Sequence, residues 1–122
     1  DEGFFLYFEE VDFCRRAGAA GWECWHVPAS RVVHLVGQAT GMNRPRPAAR
    51  VPAYWLAARR RYFLKHLGRV RTLAADILWA LGRATWRVRR VLQRKPDPDP
   101  PHLLGDFVRY NLLGRTRAGA GR

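Results

Sequence analysis

The sequence contains little cysteine, few acids and no long apolar run, and each shortage excludes a class of protein. Its two cysteines, Cys14 and Cys24, form no CxxC pattern and no disulfide framework, which favours a reducing compartment. The longest charge-free apolar run of the basic segment, residues 77–82, is far shorter than the roughly 20 residues of a spanning helix. No secretory signal or initiator methionine opens the chain, so we expect the C-terminal piece of a longer protein.

The shortage of acids is concentrated in one segment. The 122 residues carry 22 Lys and Arg against 10 Asp and Glu, for a formal charge of +12. Residues 54–95 contain twelve of these bases and a single acid, Asp76, whereas the acids and bases of residues 1–53 balance. Such a segment predicts a polyanion or an anionic membrane as its partner.

The pattern of the chain predicts an α/β fold followed by a helical, basic tail. Residues 9–20 have helical spacing before Gly21, and the β-branched and aromatic runs 22–27 and 31–36 predict a short strand pair. Residues 53–95 predict basic amphipathic helices that Gly68 divides. Within residues 96–122 we expect a stiff, extended Pro-rich linker, a short helix over about 103–113, and a disordered tail. The chain is thus predicted to consist of three units, residues 1–52, 53–95 and 96–122.

The first predicted helix opens on an acidic pair, Glu9-Glu10. At about 100° per residue, Glu9 and Asp12 share the solvent-side or pocket-rim face, whereas Glu10 points among apolar neighbours. Burial there raises the pKa of a carboxyl group, which suits a general base, although the helix macrodipole opposes that shift. Acids in a first helical turn are also ordinary capping residues. The spacing alone leaves both interpretations open.

A lone histidine, His34, lies on the second predicted strand, on the same face as Val32 and Val36. A neutral imidazole at the end of a buried strand can bind a divalent metal ion. One histidine without further ligands can equally be a core residue that forms a backbone hydrogen bond. The residues alone do not decide between the two.

The basic segment has an amphipathic pattern with two stripes. The apolar stripe consists of Leu73, Ile77, Leu78, Leu81, Val88 and Leu92. The cationic stripe consists of Arg83, Arg87, Arg90 and Arg94, with Trp79 and Trp86 at the border between the stripes. This arrangement is typical of a helix in a bilayer interface, and it predicts that these arginines and tryptophans contact an anionic membrane. In the alternative, the apolar stripe packs on a catalytic domain and the arginines are solvated.

Residues 1–37 carry an ordered series of motifs: Asp-Glu-x-Phe-Phe-x-Tyr, an acidic pair, x-Asp, Gly-Trp, Val-Pro and Val-x-His. The series resembles the C-terminal half of the catalytic domain of inverting, family-2, GT-A-type glycosyltransferases. The resemblance is strongest to bacterial rhamnosyltransferase-like members that build cell-surface polysaccharides. Residues 54–68 resemble the Arg-rich helix that follows in this family, and residues 69–122 match only loosely.

The resemblance implies roles for individual residues. Glu10 corresponds to the general base that deprotonates the acceptor hydroxyl, and His34 to a ligand of the divalent cation, Mg²⁺ or Mn²⁺, on the nucleotide-sugar diphosphate. We assign Glu9 and Asp12 to acceptor binding or to support of the base. The implied fold is an incomplete GT-A half, because the nucleotide-binding half and its Asp-x-Asp motif would lie N-terminal to this chain. This piece alone is therefore not expected to turn over.

The expected function is transfer of a sugar, with inversion, from a nucleotide-sugar to a lipid-linked or oligosaccharide acceptor of a cell-surface polysaccharide. The expected location is the cytoplasmic face of the bacterial cell membrane, to which the chain would bind peripherally. Binding of a specific nucleic acid is not expected. The alternative is a non-catalytic basic module that uses the arginines of residues 59–94 to bind nucleic-acid phosphates or to adhere to anionic surfaces.

Overall fold

The computed structural model describes residues 1–33 and 50–114, and its regular elements are helical. They are α1 (Glu9–Ala19), α2 (Ala53–Leu92), α3 (Leu103–Phe107) and a π-helical turn (Val108–Leu112) that continues α3. The helices predicted over residues 9–20, 53–95 and about 103–113 are confirmed, with ends that differ by three residues or fewer.

The predicted strand pair has no counterpart among the described residues. Residues 22–27 form no regular element, and a turn follows them in which the Ser30 amide donates to the Val27 carbonyl at 3.0 Å. Residues 31–33 of the second run also form no regular element, and its other half, residues 34–36 with His34, lies outside the described part. The strand pair, and the α/β class that depends on it, therefore stay a prediction.

Helix α2 doubles back at Gly68. This glycine has φ 72° and ψ 176°, a combination that essentially only glycine adopts. The Arg59 Nη1 and Asp76 Oδ1 atoms are 2.6 Å apart, although 17 residues of straight helix would separate their backbones by about 25 Å. The helix therefore forms a hairpin with a first arm, residues 53–67, and a second arm, residues 69–92. The Thr72 hydroxyl donates to the Gly68 carbonyl at 2.7 Å and stabilises the bend.

The chain after α2 returns to the hairpin and fills it with one aromatic side chain. Phe107 is completely buried and stacks on Trp79, with 3.9 Å between the ring centroids. The Arg59 guanidinium lies 4.7 Å from the Phe107 ring and 4.3 Å from the Phe63 ring. Because the Arg59–Asp76 ion pair is buried beside these rings, the centre of the hairpin is partly polar.

Acids of the linker hold residues 96–101 against the second arm. Asp97 Oδ2 lies 2.6 Å from Arg90 Nη2, and Asp99 forms an ion pair with Arg83. The sequence predicted a stiff, extended linker in this place. The structure adds a contact that the pattern did not indicate, because the linker acids complement the basic helix that precedes them.

Candidate functional site on the acidic helix

Aromatic contacts fix the entry into α1. Tyr7 and Phe8 both have positive φ values, 70° and 67°, which are uncommon for residues with a Cβ. Tyr7 stacks on Tyr54 at 6.2 Å between centroids, and Phe8 packs against Tyr62 at 5.6 Å and Trp55 at 6.0 Å. These contacts with the first arm of α2 determine where α1 begins and in which direction it runs.

A buried carboxylate then fixes the rotation of α1 about its axis. The Asp12 residue is completely buried, and three cationic or imidazole groups surround its carboxylate. Lys65 Nζ lies 2.8 Å from Asp12 Oδ1, His66 Nε2 lies 2.7 Å from the same oxygen, and Arg16 Nε donates to Oδ2 at 2.8 Å. We call these four residues the Asp12 cluster. It joins α1 to the first arm of α2.

The Asp12 cluster keeps this carboxylate ionised. The hydrogen bond from Lys65 holds the pKa of Asp12 well below its usual range, and the hydrogen bonds with Arg16 and His66 act in the same direction. Burial opposes the shift but does not outweigh it. A carboxylate with a low pKa and both oxygens engaged is a poor proton acceptor. Asp12 therefore acts structurally, and its predicted place on a solvent-side rim is wrong.

A second acid extends the cluster along the first arm. Asp1 Oδ2 lies 2.6 Å from Lys65 Nζ, so this ammonium bridges two carboxylates, and Asp1 Oδ1 accepts from Arg61 Nη2 at 2.6 Å. Phe4 is buried beneath the two cations, whose charged atoms lie 5.5 and 5.8 Å from its ring centroid. Residues 1–8 are thereby held on the same face of α2 as α1.

The structure places Glu9 and Glu10 at the surface. Both are exposed, so the prediction that Glu10 points into an apolar interior is wrong. An apolar face that packed inward would bury Val11 and Phe13, yet these residues of α1 are 47 % and 63 % exposed. The helix that packs against α1 is rich in Lys and Arg, so charge complementarity with Asp12 decides which face is buried.

Glu10 and Asp12 lie on opposite sides of α1. Two residues correspond to about 200° around a helix, so burial of Asp12 against α2 turns Glu10 outward. Within the described residues Glu10 forms no hydrogen bond or ion pair with another side chain. The carboxylate is thus open to an incoming molecule, on a face that also carries Val11 and Phe13.

The described residues do not provide a metal site. Among residues 1–33 and 50–114 no group of three or more His, Cys, Asp or Glu side chains could hold a metal ion. Asp12 and His66 do meet, but Lys65 and Arg16 already supply the positive charge around that carboxylate. His34 lies outside the described part, so its role as a metal ligand stays a prediction.

The structure divides the residues predicted to bind a membrane or another anion. Arg83 and Arg90 pair with the linker acids, and their guanidinium carbons lie 4.6 and 5.3 Å from the Trp86 ring centroid. Trp79 stacks on Phe107 within the hairpin. The remaining arginines of the cationic stripe, Arg87 and Arg94, are exposed.

The apolar stripe of the second arm is uncovered. Each of its members is at least 43 % exposed, and the most exposed are Leu78 at 69 % and Leu92 at 79 %. Within the described residues, no helix combines the length and the apolar character that crossing a bilayer requires. The second arm therefore forms a helix that leaves its apolar stripe exposed.

Sequence reasoning missed the partners of the two buried acids. It gave no role to Lys65 or His66, and it did not pair Arg59 with Asp76. One signal could have indicated the second pair, because Asp76 is the single acid among twelve bases of residues 54–95. An isolated acid on a basic amphipathic helix suggests an internal ion pair.

Comparison with known proteins gives a partial match. No protein-family model matches the chain, and no solved structure matches it. The chain is 39 % identical over 54 residues to an N-acetylglucosaminyl-diphospho-decaprenol L-rhamnosyltransferase of Mycobacterium tuberculosis, found in two strains. The match covers 44 % of this chain and 17 % of the mycobacterial protein. Over these residues, the chain is similar to a glycosyltransferase.

Proposed function

We propose that this chain is the acceptor-side part of an inverting glycosyltransferase. It would act in a larger catalytic domain that transfers a sugar from a nucleotide-sugar to a lipid-linked acceptor of a cell-surface polysaccharide. The partial similarity to a rhamnosyltransferase supports the class of reaction. The structural observation that carries the proposal is the exposed carboxylate of Glu10, on a helix whose rotation the Asp12 cluster fixes.

In the proposed mechanism Glu10 is the general base. Inversion requires a single displacement, in which the acceptor hydroxyl attacks the anomeric carbon as the nucleotide diphosphate leaves. Glu10 accepts the proton of that hydroxyl, and the neighbouring Glu9 contacts the acceptor or supports the base. Asp12 has no contact with substrate in this scheme and acts as a positioning residue, because it orients α1 through Lys65 and His66.

The donor side of the reaction would come from residues outside the described part. We propose a nucleotide-binding half that precedes this chain and a Mg²⁺ or Mn²⁺ site to which His34 contributes. Such a cation, when bound, neutralises charge on the departing diphosphate. The exposed Val11 and Phe13 beside Glu10 are suited to contact with that half, since apolar side chains on a catalytic face are otherwise costly to leave in water.

We further propose that the second arm lies on the anionic, cytoplasmic face of the bacterial membrane. Its apolar stripe is exposed, as an interfacial helix requires. Exposed cations such as Arg87 and Arg94 would each contribute about 1 kcal/mol of attraction to an anionic leaflet. Arg83 and Arg90 contribute less, because Asp99 and Asp97 already compensate their charges.

The proposal is tested with the longer protein that contains this chain. A transfer assay would supply nucleotide-sugars and an N-acetylglucosaminyl-diphospho-polyprenol acceptor, and NMR of the product would give the anomeric configuration. We expect transfer with inversion. A product with retained configuration would contradict the single-displacement mechanism. Absence of transfer together with tight, salt-dependent DNA binding would instead favour the basic nucleic-acid-binding module.

A further inference from the structure

A cavity lies between the end of α2 and the linker that folds back on it. Its volume is about 460 Å³, within the range of small-molecule sites. The polar groups that line it are Arg89, Arg90, Gln93 and Lys95, and the remaining wall is formed by Trp86 and two linker prolines. Among the described residues this lining includes three cations, one of which, Arg90, pairs with Asp97 between the two prolines; we call the space the cationic pocket.

One guanidinium in the wall of the cationic pocket is buried and only partly hydrogen-bonded. The Arg90 side chain is only 10 % exposed, and its Nη2 pairs with Asp97 at 2.6 Å. Its Nε is buried and has no hydrogen-bond acceptor within the described residues. The Trp86 ring, 5.3 Å from the Arg90 guanidinium carbon, restricts its orientation. An unsatisfied buried N–H beside a cavity is the kind of group that a bound anion would satisfy.

Compensation of the helix macrodipole explains only part of this arrangement. Cations in the last turn of a helix are stabilised by the partial negative charge of its terminal carbonyls, and Arg89 and Arg90 occupy that turn. That interaction requires neither a cavity nor a buried donor. It also does not account for Lys95, which lies beyond the helix end and lines the same cavity.

We propose that the cationic pocket binds a phosphate-bearing anion. Guanidinium and ammonium groups together form charge-assisted hydrogen bonds with phosphate oxygens, and Arg90 adds a cation to the wall that is already largely desolvated. The anion is either free inorganic phosphate or diphosphate, or the phosphate of a lipid headgroup at the membrane surface. This inference deepens the proposed function. It rests on that proposal only where a membrane lipid is the source of the phosphate.

The test is calorimetric titration of the chain with sodium diphosphate at low ionic strength. The pocket variant combines Arg89→Gln with Lys95→Gln, two exposed residues whose replacement leaves the Arg90–Asp97 pair intact. The matched control combines Arg69→Gln with Arg71→Gln, which remove the same charge from exposed positions at the other end of the second arm. Circular dichroism verifies that both variants keep their helix content.

We expect saturable diphosphate binding that weakens about tenfold or more in the pocket variant and less than about twofold in the control. The source of the anion is resolved with phosphatidylcholine vesicles that contain phosphatidic acid. If vesicle binding falls in the pocket variant and not in the control, a lipid headgroup is the source of the anion. If the pocket variant loses diphosphate binding but keeps vesicle binding, the source is soluble.

Two results would overturn the cationic pocket as a phosphate site. One is the absence of saturable diphosphate binding to the unmodified chain. The other is an equal loss in the pocket and control variants, which would mean that net charge alone attracts the anion. Sugar transfer is not measured in this experiment. A negative result for diphosphate binding would therefore leave the glycosyltransferase proposal standing. Conversely, absence of sugar transfer would not abolish diphosphate binding.

Discussion

Two carboxylates on the same helix, Glu10 and Asp12, have opposite environments. Asp12 is buried among three partners from α1 and α2, and Glu10 is exposed on the other side. The difference arises because α1 packs its charged side, rather than its apolar side, on a helix rich in Lys and Arg. Asp12 thus positions the helix, and the Glu10 carboxylate faces away from α2.

Replacement of Asp12 by Asn should remove a pH dependence of stability. Because folding lowers the pKa of Asp12, the unfolded chain binds this proton at a higher pH than the folded chain. The resulting stability is fully present above the ordinary Asp pKa of about 3.9 and is lost as the pH falls from there toward the lowered value. Urea unfolding between about pH 2 and pH 7 should show a shallower acid dependence in Asp12→Asn.

The same variant should also be less stable at neutral pH, because the amide leaves Arg16 without its counter-charge and Lys65 with Asp1 alone. Glu23→Gln is the matched control, since Glu23 is an exposed acid. An unchanged acid dependence in Asp12→Asn, equal to that of the control, would contradict the role of the Asp12 cluster.

At the residue scale the sequence indicated where the acids of α1 lie along the chain but not how they are oriented. The acidic pair and the following Asp are visible in the motif of residues 1–37. Their orientation depends on Lys65 and His66, more than 50 positions away, and a helical wheel contains no information about that partner. The apolar periodicity therefore assigned Glu10 and Asp12 to the wrong sides.

The hairpin of α2 is the element that organises the rest of the structure. Gly68 permits the bend, and the Arg59–Asp76 ion pair closes it from the two arms. Phe107 enters the space between the arms and contacts Arg59 and Trp79. Disruption of the bend, of the ion pair or of the Phe107 packing should therefore destabilise the whole hairpin.

Gly68→Ala and Gly82→Ala should change stability in opposite directions. An added Cβ meets no atom within 4 Å at either position, so only backbone conformation distinguishes them. At Gly68 the φ and ψ values are costly for any residue with a Cβ, by about 1–3 kcal/mol. Gly82 lies in regular helix, where alanine stabilises by about 0.5–1 kcal/mol. Urea unfolding of both variants measures the two free-energy changes, and stabilisation by Gly68→Ala would contradict the bend.

Asp76→Asn should destabilise the chain strongly. It leaves the buried Arg59 guanidinium without its counter-charge, at a cost of about 3–5 kcal/mol in unfolding free energy. The double variant Arg59→Met with Asp76→Leu removes both charges and should recover most of that loss. A loss below about 1 kcal/mol in Asp76→Asn would mean that the pair does not close the hairpin in solution.

At the element scale the helix bounds were predictable and their arrangement was not. Spacing, Gly21 and the prolines indicated where the helices begin and end, and Gly68 was expected to divide the basic helix. That the two halves fold against each other depends on long-range contacts such as Arg59 with Asp76. Local propensity does not encode contacts between residues 17 positions apart.

At the scale of the whole molecule, acids of the chain partly neutralise its own basic residues, and an apolar surface remains exposed. Four acids, Asp1, Asp12, Asp97 and Asp99, contact the basic α2, and Asp106 contacts Arg50, the arginine that precedes it. The apolar stripe of the second arm is left exposed. The metal prediction depends on His34, which lies outside the described part. The α/β prediction depends on a strand pair whose described residues, 22–27 and 31–33, form no regular element and whose remaining residues also lie outside that part.

Exposure of the apolar stripe predicts how the chain partitions onto vesicles. Replacement of both Leu78 and Val88 by Gln should reduce flotation with anionic vesicles by about tenfold or more, because two exposed apolar side chains no longer enter the bilayer interface. Val32→Gln is the control, since Val32 is 85 % exposed but lies outside α2. Equal flotation of all three proteins would contradict membrane contact through the second arm.

The most direct measurement is the transfer rate of the proposed longer glycosyltransferase with Glu10→Gln. As general base, Glu10 should contribute about 10²–10⁴-fold to kcat, so this variant should lose that factor while the donor KM stays nearly unchanged. Glu23→Gln, which alters an exposed acid away from α1, should retain normal transfer. Transfer by Glu10→Gln at the rate of the unmodified enzyme would contradict the account, because the carboxylate that the Asp12 cluster turns outward would then have no part in the chemistry.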